Sequence, residues 1–138
     1  MRKSNHLAIW VMIIAHQVMG YIWYSPYFFL DAWLTGQGKT VEDLNQTDPT
    51  PFAYAIVASI MACYSISWLV RATQTITVDQ AIKLGIILSA AFVFPAIAPH
   101  YKFLGLANSV LWIDLSLSIL MTVATTVVLA LWTREAKT

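Results

Sequence analysis

Four apolar stretches, each long enough to cross a lipid bilayer, take up most of this 138-residue chain. Each stretch reaches or exceeds the roughly 20 residues that a membrane-spanning helix needs. They cover residues 7–27, 52–70, 78–98 and 106–132. A soluble four-helix bundle needs a polar face on every helix, whereas these stretches are apolar around most of their circumference. The sequence therefore predicts one polytopic membrane domain over residues 1–138, an all-α integral membrane four-helix bundle embedded in a lipid bilayer.

The composition excludes several functional classes. Only 11% of the residues are charged, against about 25% in soluble domains, and a net charge of +1 argues against nucleic-acid binding. With Cys63 as the single cysteine there is no paired-cysteine metal site. Haem between helices usually needs two facing histidines, but His6 lies near the start of the first span and His100 in the third connection. No nucleophile elbow or zinc-protease motif occurs, so we expect no enzyme, cofactor or metal.

The lysines and arginines indicate the orientation. Of the eight, six fall on one side of the predicted bundle, in the two termini and the second connection: Arg2, Lys3, Arg71, Lys83, Arg134 and Lys137. Only Lys39 and Lys102 fall on the other side, in the first and third connections. Because cytoplasmic loops of membrane proteins carry the excess of positive charge, both termini are predicted to be cytoplasmic.

The most distinctive local string is Gly20–Trp33, around the end of the first span. Gly20 permits a close approach between helices, and Trp23 and Tyr24 are typical of the membrane interface. Pro26 ends or kinks the helix. The chain is then expected to follow the outer membrane surface as a short amphipathic segment within the first connection. We interpret the string as an interfacial helix terminator in preference to a ligand site.

Within this string, a glycine is followed after two residues by Trp-Tyr-Ser-Pro, then by a phenylalanine and a tryptophan at fixed spacing. The residues are Gly20, Trp23, Tyr24, Ser25, Pro26, Phe29 and Trp33. In this motif, in the four-span layout and in the threonine-led start of the third span, the chain resembles the domain-of-unknown-function 1761 family of small membrane proteins. The resemblance implies the four-span fold. It implies no activity, because the function of that family is not established.

Two spans carry a stripe of small or polar residues. In the second span Ala55, Ser59, Cys63 and Ser67 recur every four residues, which predicts a close-packing seam. The seam leads us to expect at least a homodimer, although it serves equally well inside one subunit.

In the fourth span one face carries Asp114, Ser118, Thr122 and either Thr125 or Thr126. This face is expected to line a polar path or to bond neighbouring helices, and packing is the simpler interpretation of its hydroxyl groups.

Asp114 needs a partner, because a carboxylate at mid-membrane costs about 2.5–3.5 kcal/mol on insertion scales. His16 lies eleven residues inside the first span and Asp114 eight residues inside the fourth. These positions correspond to depths of about 16 and 12 Å, so we expect the two side chains to meet, with Gln17 as a second donor. The alternative starts the fourth span at Ile113, which leaves Asp114 at the outer interface.

Two functional classes follow from these residues. The first is a homo-oligomeric carrier or channel for a small solute or cation, in which Asp114 and His16 belong to the pathway. Because a single four-helix unit encloses little space, a pathway is expected to need a second copy. The alternative is a non-catalytic accessory or scaffold subunit of a larger membrane complex. A polar constellation at mid-depth favours the first class, and Asp114 at the headgroups favours the second.

Overall fold

The computed structural model describes residues 4–44 and 47–132, and within these ranges it contains five α-helices and no strand. Four of the helices are long and apolar enough to cross a membrane, and the fifth is a short helix in the first connection. The helices are α1 His6–Trp23, α2 Leu30–Gly36, α3 Thr50–Ala72, α4 Val78–Phe103 and α5 Asn108–Leu131. The predicted all-α membrane bundle with a short segment in the first connection is thereby confirmed.

The described ends of the chain meet at one end of the bundle. Asn5 caps α1 by accepting a hydrogen bond from the backbone N–H of Ala8, and its Nδ2 donates to the carbonyl of Trp132 at 3.0 Å. The start of α1 therefore lies beside the end of α5, and the two helices are antiparallel. We call this end of the bundle the terminal end. The opposite end, which carries α2 and the connection from α4 to α5, is called the motif end.

Two predicted span boundaries were wrong by several residues. The first span was predicted to reach Tyr27, but α1 ends at Trp23, because a proline disfavours helical geometry in the residue before it and Pro26 follows Ser25. The third span was predicted to end at residue 98, but α4 continues to Phe103. His100 therefore lies in the last turn of α4 rather than in a connection, and the same is true of Lys102.

The continuation of α4 past two prolines has a local cause. Pro95 has no N–H to donate and its ring crowds the carbonyl four residues earlier. The segment just before it, Ser89–Val93, has π-helical geometry, and such wider turns accommodate a disrupted hydrogen-bond ladder. The Ser89 hydroxyl donates to the Gly85 carbonyl at 2.8 Å. The helix thus continues through this region and does not end there.

The small-residue seam of α3 is used inside the subunit. Ser59, Cys63 and Ser67 are buried against the rest of the bundle, whereas Ala55 is exposed. The Ser59 hydroxyl accepts a hydrogen bond from Gln17 Nε2 of α1 at 2.9 Å. Of the two alternatives for the seam, packing within one subunit is the one observed, so the seam itself no longer supports a homodimer.

Two glycines in the spans have opposite surroundings. A Cβ on Gly85 would lie 2.8 Å from Cα of Val123, so α4 and α5 approach closely only because residue 85 has no side chain. A Cβ on Gly20 would meet nothing within 4 Å. The prediction that Gly20 permits a close helix approach was therefore wrong within the described residues, because the buried face of α1 is formed by other positions. These are Ala8, Ile9, Met12 and Ile13.

Candidate functional site

Asp114 lies on α5 and is buried, with 8% of its surface exposed. It is six residues after the first residue of α5, a depth of about 9 Å along a helix of about 36 Å. The alternative start of this span at Ile113 was wrong, because the helix begins at Asn108. Asp114 therefore lies inside the bundle, between the midpoint of α5 and the motif end.

The Asp114 carboxylate is held by two tyrosine hydroxyl groups from two other spans. Tyr24, at the end of α1, donates to Oδ1 at 2.5 Å, and Tyr101, in the last turn of α4, donates to Oδ2 at 2.7 Å. We call these three residues the Asp114 clamp. Each carboxylate oxygen accepts one of these bonds, so the clamp ties α1 and α4 to α5 at a single side chain.

The clamp contains one formal charge and two neutral donors. Among residues 4–44 and 47–132, the ion pair within 4.0 Å is the exposed pair Lys83–Asp79 at 2.8 Å, and it does not involve Asp114. A tyrosine hydroxyl is neutral and protonated near pH 7, so Tyr24 and Tyr101 both act as hydrogen-bond donors. The carboxylate is therefore hydrogen-bonded, but no positive side chain in the described part of the chain forms an ion pair with it within 4.0 Å.

The predicted pair of His16 and Asp114 does not form. His16 Nε2 lies 3.0 Å from the Thr125 hydroxyl, and Thr125 is eleven residues beyond Asp114 on α5, about 16 Å along the helix. The depths were counted from span ends assumed to be level with one another. In the structure α1 ends beside Ile113, so the first turns of α5 extend past α1 toward the motif end.

The other predicted polar residues have separate partners. Gln17 donates to Ser59 rather than to Asp114. On α5, the Thr122 hydroxyl donates to the Ser118 carbonyl and the Thr126 hydroxyl to the Thr122 carbonyl, both at 2.7 Å. The polar side chains of the bundle thus form local pairs, and the hydroxyl groups of Thr122 and Thr126 bond to the backbone of their own helix.

The Trp-Tyr-Ser-Pro motif is joined to α5 by its first two residues. Trp23 Nε1 donates to the Ile113 carbonyl at 3.1 Å, one residue before the aspartate that Tyr24 binds. The Ser25 carbonyl accepts the backbone N–H groups of Phe28 and Leu30, at 3.0 and 3.3 Å. This turn ends α1 and leads into α2. The motif is a helix terminator, as predicted, and it also supplies part of the clamp.

The last residues of the motif pack against its first two residues. The ring of Trp33, on α2, lies 5.1 Å from the ring of Tyr24, and the ring of Phe29 lies 4.8 Å from that of Trp23, measured between centroids. Trp33 Nε1 is buried and has no hydrogen-bond acceptor among the described residues. One ring of the clamp, that of Tyr24, thus packs against a tryptophan whose N–H donor is unsatisfied.

Helix α2 is held over the start of α5 by its last residue. The backbone N–H of Ala107 donates to the Gly36 carbonyl at 3.2 Å. A Cβ on Gly36 would lie 2.5 Å from Val110 Cγ2 and 2.7 Å from Ser109 Oγ, so a side chain at this position would collide with α5. This close contact fixes α2, which carries Trp33, against the start of α5.

The sequence interpretation assigned both tyrosines of the clamp, Tyr24 and Tyr101, to the membrane interface and connected neither of them with Asp114. One sequence feature that points to Tyr101 is the short turn between α4 and α5, because it places the end of one helix beside the start of the next.

Within the described ranges, no group of three or more His, Cys, Asp or Glu side chains is arranged to hold a metal ion.

The four spans, the short surface helix and the buried carboxylate define a small polytopic membrane protein. The chain belongs to the family described as "Protein of unknown function (DUF1761)", whose family model matches residues 7–130. The match includes the motif and all three residues of the clamp, and it confirms the resemblance noted in the sequence. No curated protein and no solved structure matches the chain significantly.

Proposed function

We propose that this chain is a non-enzymatic membrane carrier or channel for a small cation, with Asp114 as the cation-binding carboxylate. The supporting observation is a buried carboxylate that receives only neutral donors from the described residues. Removing a charge from water is costly unless an opposite charge compensates for it. A carboxylate has about four positions for accepting hydrogen bonds, of which the tyrosines use two. A bound cation would use the others and neutralise the site.

The carrier is proposed to work as a homo-oligomer. A bundle of four helices encloses little space, and its internal polar groups are paired locally. His16 is paired with Thr125, and Gln17 with Ser59. A pathway between the clamp and the terminal end would therefore run between copies of the chain and not through the centre of one copy.

Cation flux into proteoliposomes tests this function. Wild-type protein is expected to accelerate uptake of at least one of three probes, namely protons, radioactive rubidium and radioactive methylammonium. Asp114→Asn should abolish the acceleration, because it removes the charge while keeping a similar shape. Asp31→Asn is the matched control, since Asp31 is an exposed carboxylate at the same end of the bundle. Its flux should equal that of the wild type.

Two outcomes would contradict the carrier function. One is wild-type protein, folded by circular dichroism, that moves none of the three probes. The other is equal flux in wild-type and Asp114→Asn proteoliposomes, which would place the pathway elsewhere.

The alternative function is a non-catalytic accessory or scaffold subunit of a larger membrane complex. It is supported by the exposed aromatic residues beside the clamp: Tyr27 is 94% exposed and Phe28 58% exposed. Aromatic side chains are enriched where proteins bind one another. Absence of flux from folded wild-type protein would make this the preferred function.

We also propose that both termini are cytoplasmic, on the basis of the lysine and arginine distribution. In a Cys63→Ser background, a membrane-impermeant thiol reagent should label Lys39→Cys in intact cells and Ala72→Cys only after permeabilisation. Both positions are exposed, and they lie at opposite ends of the bundle. Labelling of Ala72→Cys in intact cells, without labelling of Lys39→Cys, would reverse the orientation.

A further inference from the structure

We infer that the Asp114 clamp binds an organic ammonium group rather than a metal ion; this inference rests on the cation-binding role proposed above. The ammonium group would occupy the open acceptor positions of the carboxylate, with the aromatic residues at the motif end around it. Tyr24 and Tyr101 are both only partly buried, so the tyrosine side of the clamp lies near the surface of the bundle.

The ligands available near Asp114 do not suit an inorganic cation. Calcium and magnesium need six or more oxygen ligands, and potassium filters use rings of carbonyl groups. The described residues hold no cluster of three or more metal-ligating side chains. The backbone carbonyl of the preceding residue, Ile113, already accepts hydrogen bonds from Trp23 and Ser116. One carboxylate alone gives a metal ion too few oxygen atoms.

The same surroundings suit an ammonium group. Tetraalkylammonium and similar cations are stabilised by the faces of Trp, Tyr and Phe rings, most strongly where water is excluded. Tyr24 and Tyr101 contact the carboxylate directly, and Trp33 packs on Tyr24. A negative charge bordered by aromatic rings is the combination that recognises such a cation.

The unsatisfied N–H of Trp33 indicates a second feature of the occupant. A buried donor without an acceptor is unfavourable, and this one belongs to the ring that packs on Tyr24. An occupant with an oxygen acceptor a few atoms from its ammonium group would satisfy Trp33 and Asp114 together. Choline-like compounds have this structure, whether they are free solutes or lipid headgroups.

Isothermal titration calorimetry of the detergent-solubilised protein tests the inference with choline chloride and tetramethylammonium chloride, against sodium and potassium chloride at equal ionic strength. We expect choline to bind more tightly than tetramethylammonium, and neither inorganic salt to produce a binding isotherm. Asp114→Asn should weaken choline binding at least tenfold, whereas Asp31→Asn should leave it unchanged. Trp33→Phe, which keeps an aromatic ring and leaves the carboxylate intact, should equalise choline and tetramethylammonium.

The two sources of the ammonium group are separated in nanodiscs. If a lipid headgroup is the natural occupant, phosphatidylcholine nanodiscs should weaken the binding of free choline relative to phosphatidylglycerol nanodiscs, and Asp114→Asn should remove the difference. If a free solute is the occupant, choline should bind equally in both lipids.

No choline binding to folded wild-type protein, or equal binding to Asp114→Asn, would overturn the inference. A choline preference that survives in Trp33→Phe would overturn the role given to the indole N–H. Rubidium flux without choline binding would leave the carrier function standing and refute the ammonium site. Choline binding without flux of any probe would support the ammonium site and contradict the carrier function.

Discussion

Asp114→Ala should lower the free energy of unfolding by about 2–4 kcal/mol, the largest effect that we expect from a single substitution. Ala removes both acceptors of the clamp, so the hydroxyl groups of Tyr24 and Tyr101 lose their partners inside the bundle. A buried polar group left unpaired costs about 1–3 kcal/mol. The variant no longer buries a carboxylate, and the desolvation cost that it avoids offsets part of this loss of stability.

Equilibrium unfolding in mixed detergent micelles, followed by circular dichroism, measures this effect. Asp31→Ala serves as the control, because it removes an exposed carboxylate near the same end of the protein. We expect it to change stability by less than about 0.5 kcal/mol. Equal stability of the two variants would show that the clamp contributes nothing to the fold.

Gly85→Ala is expected to destabilise the protein by about 1–3 kcal/mol, the usual cost of overpacking. The added Cβ would lie 2.8 Å from Cα of Val123 and 3.1 Å from its Cγ2. A backbone atom cannot avoid the clash by changing rotamer, so α4 and α5 must separate. The better helix propensity of alanine, worth about 1 kcal/mol, works in the opposite direction.

The same unfolding assay compares this variant with Gly20→Ala. Both glycines lie within spans, but a Cβ at position 20 would contact nothing within 4 Å. Gly20→Ala should therefore be as stable as the wild type or more stable. A loss of stability in Gly20→Ala as large as that in Gly85→Ala would contradict the helix packing described above.

The fold was largely predictable because it depends on local properties of the chain. Hydropathy predicts the four spans, since a membrane helix needs a long apolar run. The start of α4 was also predictable from the sequence, because Thr77 and Gln80 form a capping box. In it the backbone N–H of Gln80 donates to the Thr77 hydroxyl at 3.3 Å. Such signals lie within a few residues of the element that they specify.

The clamp was not predictable in the same way, because it depends on how far α5 extends beyond α1. Counting residues from the span ends assumes that all spans end at the same depth. This assumption led to the prediction that the side chains of His16 and Asp114 meet. The real partners are neutral tyrosines, which the sequence interpretation assigned to the membrane interface. Relative displacement of helices is set by tertiary contacts, such as that of Gly36 with Val110, and these have no local signature.

A pair of double-mutant cycles tests most directly whether Asp114 is bound to Tyr24 and not to His16. Tyr24→Phe and Asp114→Ala are measured singly and together, and so are His16→Ala and Asp114→Ala, all by equilibrium unfolding. Residues in contact show coupling, whereas distant residues add within about 0.5 kcal/mol. We predict a coupling of about 1–2 kcal/mol between Tyr24 and Asp114, as for hydrogen-bonded pairs, and additivity for His16. Additive effects for Tyr24, or a coupling of this size between His16 and Asp114, would contradict the clamp.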